Sequence, residues 1–136
     1  MKRSYRVVCE LKATLPATLE ALEAFVEEFR SVYGHWRHAT APFAAELLMR
    51  EALVNAVEHG CRREPGRLVR CTARLRERRL TISVEDEGQG FDWRAQWNRP
   101  RNPLASSGRG LDILREWATR VRFNQKGNAV TILRRL

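Results

Sequence analysis

Two rhythms of hydrophobic and polar positions alternate along the chain. The segment YRVVCELKA places Val7, Cys9 and Leu11 on one side of an extended backbone and predicts a strand. Leu19, Leu22, Val26, Phe29 and Tyr33 then return at helical spacing, with Glu20, Glu23, Glu27 and Glu28 elsewhere on the cylinder, and Gly34 marks the end. Thr40 is the expected N-cap of a second helix, with Pro42 in its first turn and Gly60 as its stop. On that helix Phe43, Leu47, Val54 and Val57 cluster on one side. CRREPGR is a turn. LVRCTARLR and LTISVED each alternate with period two and predict a hairpin joined over 77–79. Residues 91–107 keep no sustained period and contain Pro100 and Pro103, which predicts a long loop of the kind compact domains use for function or motion. GLDILREWATRV resumes helical spacing through Leu111, Leu114, Trp117 and Val121, and RVRFNQKGNAVTILRRL predicts a closing hairpin that turns near Lys126 and Gly127. Strands and helices in runs favour an α+β two-layer sandwich over a doubly wound sheet.

Length and composition narrow this reading. The chain has 136 residues and 43% hydrophobic residues, which suits one domain with one core. No apolar run approaches the roughly 20 residues that span a bilayer, and no apolar stretch follows the basic N-terminus, so no membrane role and a cytoplasmic location are expected. Cys9, Cys61 and Cys71 are widely spaced and odd in number, which argues for reduced, mostly core thiols. His35 and His38 lack the companions a metal site needs. The net charge of +9 raises nucleic-acid binding, but the arginines are spread around the hairpin without a recognition helix or stacking aromatics. A solvated basic face, or a dock for an acidic protein, accounts for the charge as well.

Three stretches carry candidate chemistry. In EALVNAVEHG, residues 51–60, Glu51, Asn55 and His59 recur every fourth position and stack on one helical face beside Ala44, Leu48 and Ala52. Burying an unpaired carboxylate or amide is costly, so the strip either lines a ligand cleft or satisfies neighbouring elements. In EDEGQGF, residues 85–91, Asp86 shares the parity of Leu80, Ile82 and Val84 and points inward, with Gly88 and Gly90 just beyond. The glycines let a ligand approach the backbone; the plain alternative is a turn after a strand with a stray acid. In SSGRGLDIL, residues 106–114, two glycines enter a helix whose free N–H groups suit phosphate, with Arg109 adding charge; taken alone it is equally an ordinary cap.

The order of the three pieces, E-x-x-x-N-x-x-x-H, D-x-G-x-G, a flexible segment and G-x-G, resembles the N box and glycine boxes of the GHKL ATPase and kinase superfamily over roughly residues 40–136. EALVNAVEHG and SGRGLDIL look most like bacterial anti-sigma-factor serine kinases of the partner-switching type. The resemblance implies a Bergerat-type fold, a mixed and mainly antiparallel sheet with helices on one face, formed by a single ATP-binding kinase domain over residues 1–136. It further implies that Asn55 holds Mg²⁺ and that Glu51 is the general base or orients the attacking hydroxyl. Asp86 accepts the adenine amino group, and Gly88 and Gly90 shape the purine side. Gly108 and Gly110 present amides to the phosphates, with Ser107, Arg109 and Leu111 in the same nucleotide-binding set. Residues 92–107 form the ATP lid. His59 stands where the family often carries a histidine. Where the family often has Gly-Thr, Asn128 and Ala129 stand instead, and Thr131 lies further on. Burial against the lid's own core is expected for Trp93 and Trp97.

The implied activity is phosphorylation of a serine or threonine on a STAS-domain anti-sigma-factor antagonist, with a sigma factor or other regulator as a further partner and a homodimer as the assembly. Three rivals stand beside it: a non-catalytic ATP-dependent switch that sequesters a sigma factor or other regulator, a stand-alone histidine-kinase ATP domain, and a basic nucleic-acid binder.

Overall fold

The computed structural model describes residues 8–64, 66–98 and 109–136. Strands β1 (Val8–Pro16), β2 (Leu68–Arg76), β3 (Arg79–Asp86), β4 (Arg120–Phe123) and β5 (Ala129–Arg135) form one sheet in the order β1-β2-β3-β5-β4. The sheet is mainly antiparallel as expected, and no parallel pair mixes with the antiparallel ones among the described residues. Period two decides its faces: Val69, Cys71, Ala73 and Leu75, then Leu80, Ile82 and Val84, then Val130 and Ile132 are buried, while their neighbours in sequence face outward.

Helices α1 (Leu19–Gly34), α2 (Pro42–Val54) and α4 (Arg109–Trp117) cover the buried face. Thr18 caps α1 by accepting a hydrogen bond from the Ala21 amide at 3.1 Å. Leu22, Phe25, Val26, Phe29 and Tyr33 lie against the core, and Gly34 ends the helix as predicted. Glu46 on α2 pairs with Arg30 on α1 and with Arg50, and Arg50 reaches back to Glu23, so ion pairs tie the two helices at their rim.

Four expectations need correction. The N-cap of α2 is Ala41, in a left-handed conformation with φ 45°, and not Thr40. The Tyr33 hydroxyl donates to the Thr40 carbonyl and accepts from the Thr40 amide, which holds Thr40 in the preceding turn; Pro42 opens the helix, where its missing N–H costs nothing. Along α2 the core side is Ala45, Leu48, Met49, Ala52 and Leu53; of the apolar group noted in the sequence, Val57 is buried, Leu47 and Val54 are half-buried and Phe43 is 70% exposed. The helix turns π-helical over Asn55–Gly60, where the Cys61 amide donates to the carbonyl of Ala56, five residues back. The expected loop after residue 91 contains a short helix, α3 (Trp93–Trp97), and α4 stops at Trp117, so that Val121 belongs to β4.

Candidate functional site

Glu51 and Asn55 sit one turn apart on the flank of α2 that faces the start of α4. A side chain at Gly110 would stand 3.1 Å from Glu51 Oε2 and 3.2 Å from Asn55 Oδ1. The absence of a Cβ there is what lets the two helices close over the polar pair. Asn55 Nδ2 is buried without a hydrogen-bond partner, an exposed debt in a fold that satisfies almost all others of its kind. Burial also pushes the Glu51 carboxyl above the ordinary glutamate range, against a smaller pull from Arg50. Asn55 Oδ1 beside the Glu51 carboxylate offers oxygen ligands of the kind a hydrated divalent cation takes, while the unpartnered Nδ2 is a donor that suits an acceptor such as a phosphate oxygen.

The wider turn at Asn55–Gly60 carries His59 off this strip. His59 is exposed and lines a separate polar recess of about 120 Å³ with Arg62, Arg67 and Gln89. The predicted alignment of Glu51, Asn55 and His59 therefore holds for the first two only.

Asp86 ends β3 on the inner face, 7% exposed, as its parity required. Its Oδ1 accepts from the Gly88 amide at 2.7 Å. Burial raises its pKa most, and the Gly88 amide and Lys126 draw it back in part. Two glycines press on it: a Cβ at Gly60 would overlap the carboxylate, and one at Gly88 would overlap the Gly60 carbonyl. Asn128 closes the other side. The Asp86 amide donates to the Asn128 carbonyl at 2.9 Å, and Asn128 Nδ2 donates to the Asp86 carbonyl at 3.0 Å. Gly90 has φ +82° and Gly127 φ +83°; a Cβ on Gly90 would strike the Lys126 carbonyl, and one on Gly127 the Phe91 carbonyl, so the loop after β3 and the β4–β5 turn interlock.

Asn55 and Asp86 line one pocket with Ala52, Val84, Asn128, Val130, Phe91 and Phe123. Its open volume is about 20 Å³, room for a single water. Phe91 meets Phe123 edge-on at 5.8 Å, Trp93 stacks on Phe123 at 5.0 Å, and Trp97 approaches it at 6.4 Å. Trp93 Nε1 donates to the Asn124 carbonyl at 3.1 Å. Arg115 of α4 lies over Trp97 at 4.5 Å. Both tryptophans thus pack on β4 rather than facing outward.

The structure brings together Glu51, Asn55 and Gly110, buries Leu111, and sets Asp86 in the pocket with Asn55; Gly88 packs against Asp86 and Gly60, and Gly90 lines the neighbouring recess with His59. Ser107, Gly108 and the side chain of Arg109 lie outside the described residues, as does the lid beyond residue 98. Gly60, Phe91 and Phe123 were missed as site residues. Gly60 reads in sequence only as a helix stop, and the two phenylalanines read as strand or loop residues. Asn128 was noticed only as a departure from the family pattern. Among the described residues no group of histidine, cysteine and acidic side chains forms a metal cluster, and no helix is long and apolar enough to cross a membrane.

Known proteins resemble this chain in sequence and in fold. Residues 15–134 match the histidine kinase-like ATPase domain family. An anti-sigma F factor of Shouchella clausii is 27% identical over 96 residues, covering 71% of this chain and 55% of that protein. The chain thus spans about half the length of this curated relative. The histidine kinase domain of a blue-light activated histidine kinase from Erythrobacter litoralis superposes with a TM-score of 0.52 at 18% identity, over 86% of this chain and 62% of that one. That likeness is one of fold. With the match extending from the end of β1 into the end of β5, the chain belongs to the histidine kinase-like ATPase (GHKL) family.

Proposed function

We propose that this chain is an ATP-binding regulator of the anti-sigma type that phosphorylates a serine or threonine on a STAS-domain antagonist, with a sigma factor or another regulator as its alternate partner in the cytoplasm. The carrying observation is the buried, unpartnered amide of Asn55 one turn from Glu51, in a pocket whose other end is Asp86. Similarity to an anti-sigma F factor supports the regulatory half of the reading.

In this reading residues 1–136 form one ATP-binding domain with its lid at 92–107. The Asp86 carboxylate accepts the adenine amino group, and Gly88 and Gly90 leave the purine edge uncovered. Asn55 would hold Mg²⁺, which when bound would supply positive charge to offset that of the phosphates. Gly108 and Gly110 offer backbone amides to the phosphates, flanked by Ser107, Arg109 and Leu111. Glu51, its carboxyl raised by burial, takes up or aligns the proton of the attacking hydroxyl. Phosphoryl transfer asks for positioning and charge stabilisation more than for covalent chemistry, and the Glu51–Asn55 spacing supplies the positioning.

The decisive experiment incubates labelled ATP with the protein and its cognate STAS partner. Glu51→Ala is expected to keep nucleotide affinity within about threefold and to lower transfer by at least about a hundredfold, in the range of a lost general base. Transfer at the wild-type rate by this variant overturns the role. Asn55→Ala is expected to weaken binding only when Mg²⁺ is present.

One observation favours a second reading. Phe91 and Phe123 line the pocket of about 20 Å³, and Trp93 of α3 stacks on Phe123, so a purine settling there would press on this aromatic cluster. Nucleotide binding would then act as a switch on a partner surface with no transfer at all, and absence of label on every partner tested would select it.

A further inference from the structure

The sheet face turned away from the helices is divided by charge. Toward one end Arg70 pairs with Glu85, and on the edge strand Lys12 pairs with Glu10, which stands opposite Arg74. Toward the other end the register sets Arg76 opposite Arg79, and Arg79 opposite Arg135. Three guanidinium groups therefore cross three adjacent strands in a row, about 10 Å from first to last at ordinary strand spacing. The next rows on the same face run Glu10, Arg74, Thr81, Leu133, Arg120 and then Lys12, Thr72, Ser83, Thr131, Arg122. All six arginines are exposed, and none makes an ion pair among the described residues. A cleft of about 450 Å³ lies at this end of the sheet, lined by Arg76, Arg78, Arg79 and Arg135 together with Glu77 and Leu136.

Like charges placed directly opposite each other weaken a sheet. This row therefore opposes folding and gains its compensation only when something negative lies over it. We propose that this end of the sheet docks an acidic segment of another protein, one that interleaves carboxylates with apolar side chains. Arginine forks suit carboxylates, which they grip through two parallel hydrogen bonds. The apolar component follows from Val8, 39% exposed and opposite Arg76, and from Leu133, which stands between Thr81 and Arg120 in the second row.

Nucleic acid fits the surface less well. None of the three rows carries an aromatic ring for a base to stack on. Glu77 stands in the cleft, Glu10 interrupts the second row and Glu85 bounds the basic zone, which leaves a far shorter path than the 6–10 phosphates that give nucleic-acid binders their affinity. A second copy of this chain would bring six guanidinium groups against six.

Fluorescence anisotropy with a labelled 16-residue peptide of alternating Glu and Leu/Ser tests the assignment, using the full chain. The wild-type protein is expected to bind this peptide at least tenfold more tightly than the triple variant Arg76→Gln, Arg79→Gln, Arg135→Gln. The control Arg70→Gln, from the neutralised half, is expected to bind within twofold of wild type, and a peptide with Gln for every Glu is expected not to bind. Equal binding by the triple variant and wild type overturns the proposal. So does tighter, arginine-dependent binding of a 16-base-pair duplex DNA, or a wild-type dimer in sedimentation that the triple variant breaks. If the triple variant fails to fold, Arg79→Gln alone, at the centre of the row, is expected to lose about threefold. The peptide measurement needs no nucleotide, so failure of ATP to bind would sink the kinase reading and leave this one standing.

Discussion

Glu51 and Asp86 are acids held in places that disfavour their charge. Burial raises both pKa values, which means the folded protein binds these protons more readily than the unfolded chain does. Their contribution to stability is complete at acid pH, below the unfolded carboxylate range, and is lost as pH rises through the folded value. Glu51→Gln removes that liability. Its melting temperature is expected to exceed wild type at pH 7.5 and to converge with it near pH 4, as thermal melts at the two values will show. Gly88→Ala should do the reverse, because its Cβ would overlap the Gly60 carbonyl; a loss of at least about 2 kcal/mol in urea unfolding, typical of backbone overpacking, is the expected result. The burial of Asp86 was legible in the sequence because a strand's period of two leaves residue 86 no choice of face once Leu80, Ile82 and Val84 are inside. The exposure of His59 was not legible, since the change from α to π winding at Asn55 has no local sequence signal.

At the scale of elements, α1, α2, both hairpins and α4 follow their periodicities. Helix α3 does not, because five residues are too few to display a period. A capping signal was nevertheless present, since Asp92 accepts from the Ala95 amide at 3.2 Å. Helix α3 rests on β4 through Trp93 and Trp97, both stacked or edge-on to Phe123. Nucleotide entry that parts Phe91 from Phe123 should therefore change tryptophan emission. Titration with ADP is expected to shift or quench it saturably, and Trp93→Phe to remove most of the signal while leaving affinity within about threefold. Emission that stays flat across a titration that calorimetry shows to be binding would mean the aromatic cluster holds still.

For the molecule as a whole, the α+β class came from the order of elements, whereas the strand order β1-β2-β3-β5-β4 did not: β5 enters between β3 and β4, a long-range pairing that no local pattern encodes. Nor could the arginine row be seen before the register of three strands was known. Its self-repulsion predicts that melting temperature rises as sodium chloride increases from about 20 to 200 mM, because screening shortens from roughly 20 Å to under 10 Å over that range. A melting temperature that is flat or falls with salt would mean that the row costs the fold nothing. Strand β3 runs eight residues from Arg79 to Asp86, which are about 24 Å apart at strand rise. It shows the first outward at one end and the second inward at the other. A purine lodged by one and a foreign acidic segment lying on the other would never compete for the same space, so the chain has room to carry both cargoes at once.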